Sequence, residues 1–351
     1  MKERNYGIDL LRMVSMLLVV ILHIIGQGGI YNHTGSNRLM YYACWFPETA
    51  AYCAVDVYGL ISGYVGVYSS WHPRKIVKLY LRVYFYSALI TLLCVLFAPQ
   101  FLLEDSMAKA FLPVIWETYW YFTAYVGVFF LMPFLNRMVL SLTMKERKAL
   151  MLTIFLLFSA ATAVPKGFGS DFFNLGGGYC FVWLLLLYLF GACLRCLEWR
   201  RWKRWQYLLG YLGCVTFSWA YKILMENFTR SVFGKAMYGR IFLGYCAPTI
   251  FGAAIFLFLI FEQTQIKNRI FQKIIAFMAP LAFSVYLIHT HPIIFHGPLC
   301  DAFIGLCSLP IPLMLLAIIV AALAIYLLCS LIDLVRVGIF RLVESAMGRF
   351  L

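Results

Sequence analysis

The sequence predicts an all-α fold: a polytopic integral membrane helical bundle of about ten transmembrane helices with both termini cytoplasmic. Three observations lead there. Of 351 residues, 63% are hydrophobic and 13% charged, at a mean hydropathy of +0.84. A soluble domain stands nearer half apolar and a quarter charged. The apolar residues gather into runs of roughly twenty, the length that crosses a hydrocarbon core as a helix. Lys and Arg crowd into alternate linkers, as they do in cytoplasmic loops.

The runs lie near 8–30, 46–69, 79–103, 118–140, 149–165, 178–198, 205–225, 240–261, 277–296 and 308–335. The first is too long for a signal-peptide core, holds Arg12 inside it and lacks a small-x-small cleavage site, so it reads as a retained helix. The second and fourth are interrupted by Gly, Pro and charge, whereas the sixth to tenth are clear. The linkers "HPRKIVK", "TMKERK", "RCLEWRRWKR" and "EQTQIKNRIFQK", with the two termini, hold most of the 29 Lys and Arg and set the orientation. The outer segments, such as "KGFGSDFFNLGGG" and "ENFTRSVFGKAMYGR", are richer in Gly and aromatics. No stretch reads as a soluble domain, so residues 1–351 are expected to form a single transmembrane domain with no appended soluble one. No repeat shows at the scale of half the chain, which weighs against an inverted-repeat transporter.

A net charge of +14 raises the question of nucleic acid. The basic residues come in short bursts between apolar runs, without the face or tail that tracks phosphates, so the expected partner is the lipid bilayer and not nucleic acid. The 11 cysteines are scattered through apolar segments as small hydrophobes. "CLRC" (Cys193 to Cys196) has redox spacing but no partner pair, and no metal site is expected. Cys300 and Cys307 share a predicted outer loop, where a disulfide and two free thiols are both open readings.

The first run, "GIDLLRMVSMLLVVILHIIGQGGI", keeps Asp9, Arg12 and His23. Ionisable residues inside a span are costly and usually face a cavity or a partner. With the N-terminus inside, Arg12 lies near the inner surface and His23 roughly 16 Å further along the helix. Eleven residues make three turns plus roughly 20°, so the two project from one face, which Asp9 shares. The helix thus carries an anion-binding group at its inner end and a proton-transfer group in its outer half. A long, thin donor with phosphates at one end and a reactive group at the other suits that separation, and acyl-coenzyme A has that shape. Arg12 would hold phosphate through its fork of donors, and His23 would deprotonate an incoming hydroxyl. The bland readings are an Arg12 that snorkels to headgroups and a His23 that serves helix packing; their shared face favours a site.

The spacing Arg12-(ten residues)-His23 after "GIDLL" resembles the opening signature of the bacterial acyltransferase-3 family of integral membrane acyltransferases. Further similarities follow in order: "AVDVYGLISGYVGV" (54–67), "YWYFTAYVGVFFLMPFLN" (119–136), "GGGYCFVWLLLLYLFGACLR" and "AFSVYLIHTHPII" (282–294). Together they span nearly the whole chain. The resemblance implies a multi-helix enzyme that acylates sugars of surface polysaccharides and related acceptors, with Arg12 and His23 at the positions associated with activity. Family members also carry an Arg-x-x-Arg cluster opening the third helix, associated with the donor's phosphates. Here "PRKIVKLYLR" departs from that spacing and offers Arg74, Lys75, Lys78 and Arg82.

Other residues have paired readings. Asp56, inside the second helix, either orients His23 or pairs with a cation. Ser62-Gly63-Tyr64 reads as close helix packing ahead of any nucleophilic serine. His289, at a depth similar to His23, either binds acceptor or steadies an oxyanion, or is an interfacial histidine. His291 and His296 read as outer-edge residues without chemistry. Glu117 and Trp120 flank the outer mouth, where rings serve interfaces and sugar pockets alike. Arg230, Lys235 and Arg240 lie on an outer loop that would suit an anionic acceptor or be a solvated loop.

The expectation is an acyltransferase of the cytoplasmic membrane. It moves an acyl group, acetyl first, from cytoplasmic acetyl-CoA or another acyl-CoA to a hydroxyl of a cell-surface or lipid-linked glycan. His23, Asp56 and His289 are the catalytic candidates; Arg12, Arg74, Lys75, Lys78 and Arg82 are the donor-binding ones. The rival is a transporter or flippase that uses Arg12, Asp56 and His23 as a substrate or proton path.

Overall fold

The structure is a computed structural model that describes residues 4–34, 37–171, 173–197 and 202–347. Among these residues all regular structure is helical. The helices are α1 (Tyr6–Ile25), α2 (Arg38–Ala51), α3 (Ala54–Gly66), α4 (Pro73–Phe97), α5 (Ser106–Phe111), α6 (Trp120–Ser141), α7 (Met144–Thr153) and α8 (Ala161–Gly167). After them come α9 (Phe181–Cys196), α10 (Arg204–Phe233), α11 (Pro248–Glu262), α12 (Arg269–Met278), α13 (Ala282–His289), α14 (Pro292–His296) and α15 (Ile311–Met347).

Among the described residues, seven helical stretches are long and apolar enough to cross a membrane: Tyr6–Ile25, Pro73–Phe97, Trp120–Ser141, Met144–Gly167, Arg204–Phe233, Arg269–His289 and Ile311–Arg341. The protein is therefore a multi-pass membrane protein. Met144–Gly167 joins α7 to α8 through a wider-wound turn, Ile154–Ala160, where the Ser159 hydroxyl donates to the Cys246 carbonyl at 2.7 Å. Two further apolar helices, α9 and α11, have 16 and 15 residues. The second run, expected as one span over 46–69, is two helices that meet at Tyr52 and Cys53. Pro47 brings no amide hydrogen to α2, and the Thr49 hydroxyl donates to the Trp45 carbonyl at 2.6 Å. Both loosen the helix before the break.

The most extensive helix pair is α3 with α9, and glycine permits it. A Cβ on Gly63 would collide with the Tyr188 carbonyl oxygen, and one on Gly191 with that of Leu60. In lipid such small residues let backbones approach, because dispersion and polar contacts, and not water exclusion, hold helices together. The packing reading of Ser62-Gly63-Tyr64 thus has its partner. Large apolar side chains that face outward, such as Leu224, Phe228, Leu327 and Leu331, lie on α10 and α15, where lipid replaces a protein neighbour.

The basic linkers converge at one end, called inner here by the charge rule. Arg147 ties three segments there, its guanidinium donating to the carbonyls of Val139, Leu140 and Cys196 at 3.0–3.3 Å. Asn136, which closes the "PFLN" motif, donates to the Gly66 carbonyl at 3.0 Å and accepts from the Tyr188 hydroxyl at 2.6 Å. Arg200 and Arg201 of "RCLEWRRWKR" lie outside the described residues. At the opposite end the amides of Asp301 and Phe303 donate to the carbonyls of Gln27 and Gly28, both at 3.0 Å. Cys300 and Cys307 are not joined there: both are free thiols, and Cys307 Sγ is 3.5 Å from the Ile30 carbonyl oxygen.

Candidate active site

Two chambers enter the bundle from opposite ends. The inner one, about 300 Å³, is lined by Arg12, Ser69, Ser70, Lys75 and Asn136 among others. The outer one, about 890 Å³, is lined by His23, Glu48, Glu117, Trp120, Thr290 and Asp301 among others. Tyr58, Tyr121 and Phe283 line both, so the chambers meet at a collar of three rings. Tyr58 is fixed in the collar by its hydroxyl, which donates to the Arg12 carbonyl at 2.6 Å, and its ring lies 6.3 Å from that of Tyr121.

Arg12 and His23 both belong to α1, an unbroken helix that Asn5 caps by accepting from the Ile8 amide. The Arg12 guanidinium donates to Asp9 Oδ1, and Arg4 Nε donates to the other oxygen of the same carboxylate. Two cations thus share one anion, which leaves a positive balance at the inner mouth. The Arg12 side chain is about a third exposed, so its fork still has donors to offer.

At the other end of α1, His23 Nδ1 lies 2.9 Å from His289 Nε2. His289 is buried at the end of α13, and its Nδ1 lies 2.5 Å from the Val285 carbonyl oxygen. A carbonyl only accepts, so His289 carries its hydrogen on Nδ1 and presents a lone pair on Nε2. In the neutral pair His23 must then donate from Nδ1, which leaves the lone pair on its own Nε2. That ring lines the outer chamber, with the edge of Phe295 at a centroid distance of 5.0 Å. The chain carbonyl–His289–His23 fixes the tautomer a proton acceptor needs.

The other sequence-derived candidates scatter. Asp56 does not meet His23. Fully buried, it accepts from the Trp183 indole at 2.9 Å, because the α3 face that carries it packs on α9. Arg74, Lys75, Lys78 and Arg82 do not form one cluster at the inner mouth. At 100° per residue all four fall within about 100° of one another around α4, yet of the residues of α4 only Lys75 and Leu79 line the inner chamber. Lys75 Nζ is held on the Ser70 carbonyl and Ser69 hydroxyl at 2.6 and 2.9 Å. Arg82 donates to the Pro280 carbonyl at 3.2 Å beside the Phe283 ring, which makes it a prop of the collar. Arg74 and Lys78 are exposed. His291 is buried, not at an outer edge, and its ring accepts from the Ile293 amide at 3.3 Å to cap α14. The sequence reading missed the collar rings and Glu48. The signal for Glu48 was present, an ionisable residue at the edge of an apolar run.

A family model described as an acyltransferase domain matches residues 5–332, nearly the whole chain. No curated protein and no solved structure matches.

Proposed function

The chain belongs to this acyltransferase family, and on that premise we propose that it carries an acyl group, acetyl first, from cytoplasmic acyl-CoA to a hydroxyl of a cell-surface or lipid-linked glycan. The observation that carries the reading is the pair of chambers that meet at Tyr58, Tyr121 and Phe283, with the basic group in one and the histidine in the other. The donor's phosphates rest at Arg12 and Lys75. Its thin arm passes the collar and brings the thioester to the outer chamber, where the glycan enters. The acceptor hydroxyl attacks the thioester carbonyl while His23 Nε2 takes its proton. The tetrahedral adduct collapses, the C–S bond breaks, and the proton passes to the leaving thiolate, giving an ester and free coenzyme A. Direct transfer needs no acyl-enzyme. His289 is a positioning residue: it fixes the tautomer of His23 and accepts from the imidazolium as it forms. The proposed home of the reaction is the cytoplasmic membrane.

The test incubates membranes carrying wild type or His23→Ala with acetyl-CoA labelled in the acetyl group, and follows label in the lipid and glycan fractions together with free coenzyme A. Label and coenzyme A released with wild type alone support the reading. Equal label from both sinks the base role, and label that crosses the membrane without coenzyme A release favours the transporter.

A further inference from the structure

Glu48, near the end of α2, lines the outer chamber and is only 5% exposed, yet its Oε2 has no hydrogen-bond partner. A buried carboxylate oxygen without a donor is costly. Burial disfavours its charged form, and the nearby Arg240 and Lys222 offset that cost only in part. Lys222 is itself paired with Glu226 and sits 3.8 Å above the Trp45 ring. Ionised or protonated, the carboxyl group keeps an acceptor oxygen for a hydroxyl in the chamber.

The same chamber has an aromatic wall. Tyr52, Trp120, Tyr179 and Tyr245 all line it. Tyr245 lies 6.0 Å from Tyr52, 4.7 Å from Tyr179 and 6.1 Å from Trp120, nearly parallel to the last. Flat rings beside one hydrogen-bond acceptor complement a ligand with a C–H face and hydroxyl edges. Leaving aside Glu48, which Arg240 and Lys222 face, the lining still holds Glu117 and Asp301 against one lysine, Lys109, which disfavours an anionic ligand.

Resting on the acyl-transfer reading, we infer that Glu48 and this wall form a subsite for one neutral pyranose ring of the acceptor. Glu48 Oε2 accepts from a hydroxyl other than the one acylated, and so decides which hydroxyl faces His23. Glu48 is thereby a determinant of regiochemistry. Arg230 and Lys235 take no part, in contrast to the anionic acceptor that the outer-loop cations would suit.

The test titrates the purified full chain with neutral methyl pyranosides of gluco, galacto and manno configuration, and with a methyl uronate as the anionic control. The signal is the fluorescence of Trp116 and Trp120, both in the chamber lining, and no donor is needed. At least one neutral glycoside should give a saturable change, with half-saturation raised tenfold or more in Glu48→Gln, which keeps the size and removes an acceptor oxygen. Tyr179→Ala, at the exposed edge of the wall, should weaken the same ligand and guards against a folding defect in the first variant. The subsite is overturned if no neutral glycoside gives a saturable change, if Glu48→Gln binds it as wild type does, or if the uronate binds as tightly. Glu48-dependent binding with no acyl transfer would retire the transferase reading and leave the subsite. Transfer to the same ring position at the same KM in Glu48→Gln would do the reverse.

Discussion

Replacing His289 by alanine removes the acceptor of the His23 Nδ1 hydrogen, 2.9 Å away, while leaving His23 in place. Two effects follow in the proposed reaction: the tautomer is no longer fixed, and the imidazolium formed by proton transfer to His23 loses its partner. A hydrogen bond to a charged group is worth ~1.5–3 kcal/mol, and ~1.4 kcal/mol is a factor of ten in rate. The expected loss in kcat is therefore roughly 10- to 100-fold. Removing the base itself, in His23→Ala, should cost about 10²–10⁴. Because His289 acts through His23, the double variant should be no slower than His23→Ala alone, the non-additivity of groups that work as a unit. His289→Gln, whose side-chain oxygen can accept the same hydrogen, should recover part of the loss. The assay is coenzyme A release from acetyl-CoA in the presence of the native glycan fraction, over a pH series. An additive double variant, or a His289→Ala loss larger than that of His23→Ala, would refute the relay and give His289 a direct contact with substrate.

Four further outcomes are expected. Arg12→Ala should weaken acetyl-CoA binding by roughly 10- to 100-fold, the worth of a charge-assisted hydrogen bond, with a far smaller change in turnover at saturating donor; equilibrium binding and a KM-against-kcat split check it. Gly63→Ala drives a methyl into the Tyr188 carbonyl and should destabilise the α3–α9 seam by about 1–3 kcal/mol, read as a lower unfolding temperature in detergent. Trp183→Phe strands the buried Asp56 carboxyl, whose hydrogen-bond donor is the Trp183 indole, at a cost of about 1–3 kcal/mol. Asp56→Asn keeps an oxygen for the same indole, so its turnover should stay within a few-fold of wild type; a loss as deep as that of His23→Ala would return Asp56 to the chemistry.

The helical class and the polar end of each run were legible because the bilayer imposes them: length, hydropathy and Lys/Arg placement are one-dimensional quantities. So was the shared face of Arg12 and His23, since one helix sets it. The meeting of His23 with His289 was not, because 266 residues separate them and no pattern within either segment fixes how α1 packs on α13. Asp56 shows the converse error. Its depth suggested His23 as a partner, but depth along the membrane normal leaves the direction around the bundle open, and α3 turns that face to Trp183. The four basic residues of α4 share one broad face, and helical geometry alone does not say that Lys75 reaches the inner chamber while Arg82 turns to the Pro280 carbonyl. The break at Tyr52 could have been anticipated from Pro47. Glu48 and Lys222 could have been flagged by the rule that singled out Asp9, Arg12 and His23.

In the proposed reaction the donor stays at the inner chamber while its acyl group leaves through the outer one. Sealed proteoliposomes with the native glycan fraction inside, the protein's inner end outward and labelled acetyl-CoA added outside test it most directly. The expected result is label on the enclosed glycan with coenzyme A released outside, both abolished in His23→Ala. Label that appears only when donor and glycan share one compartment, or that persists in His23→Ala, would contradict it.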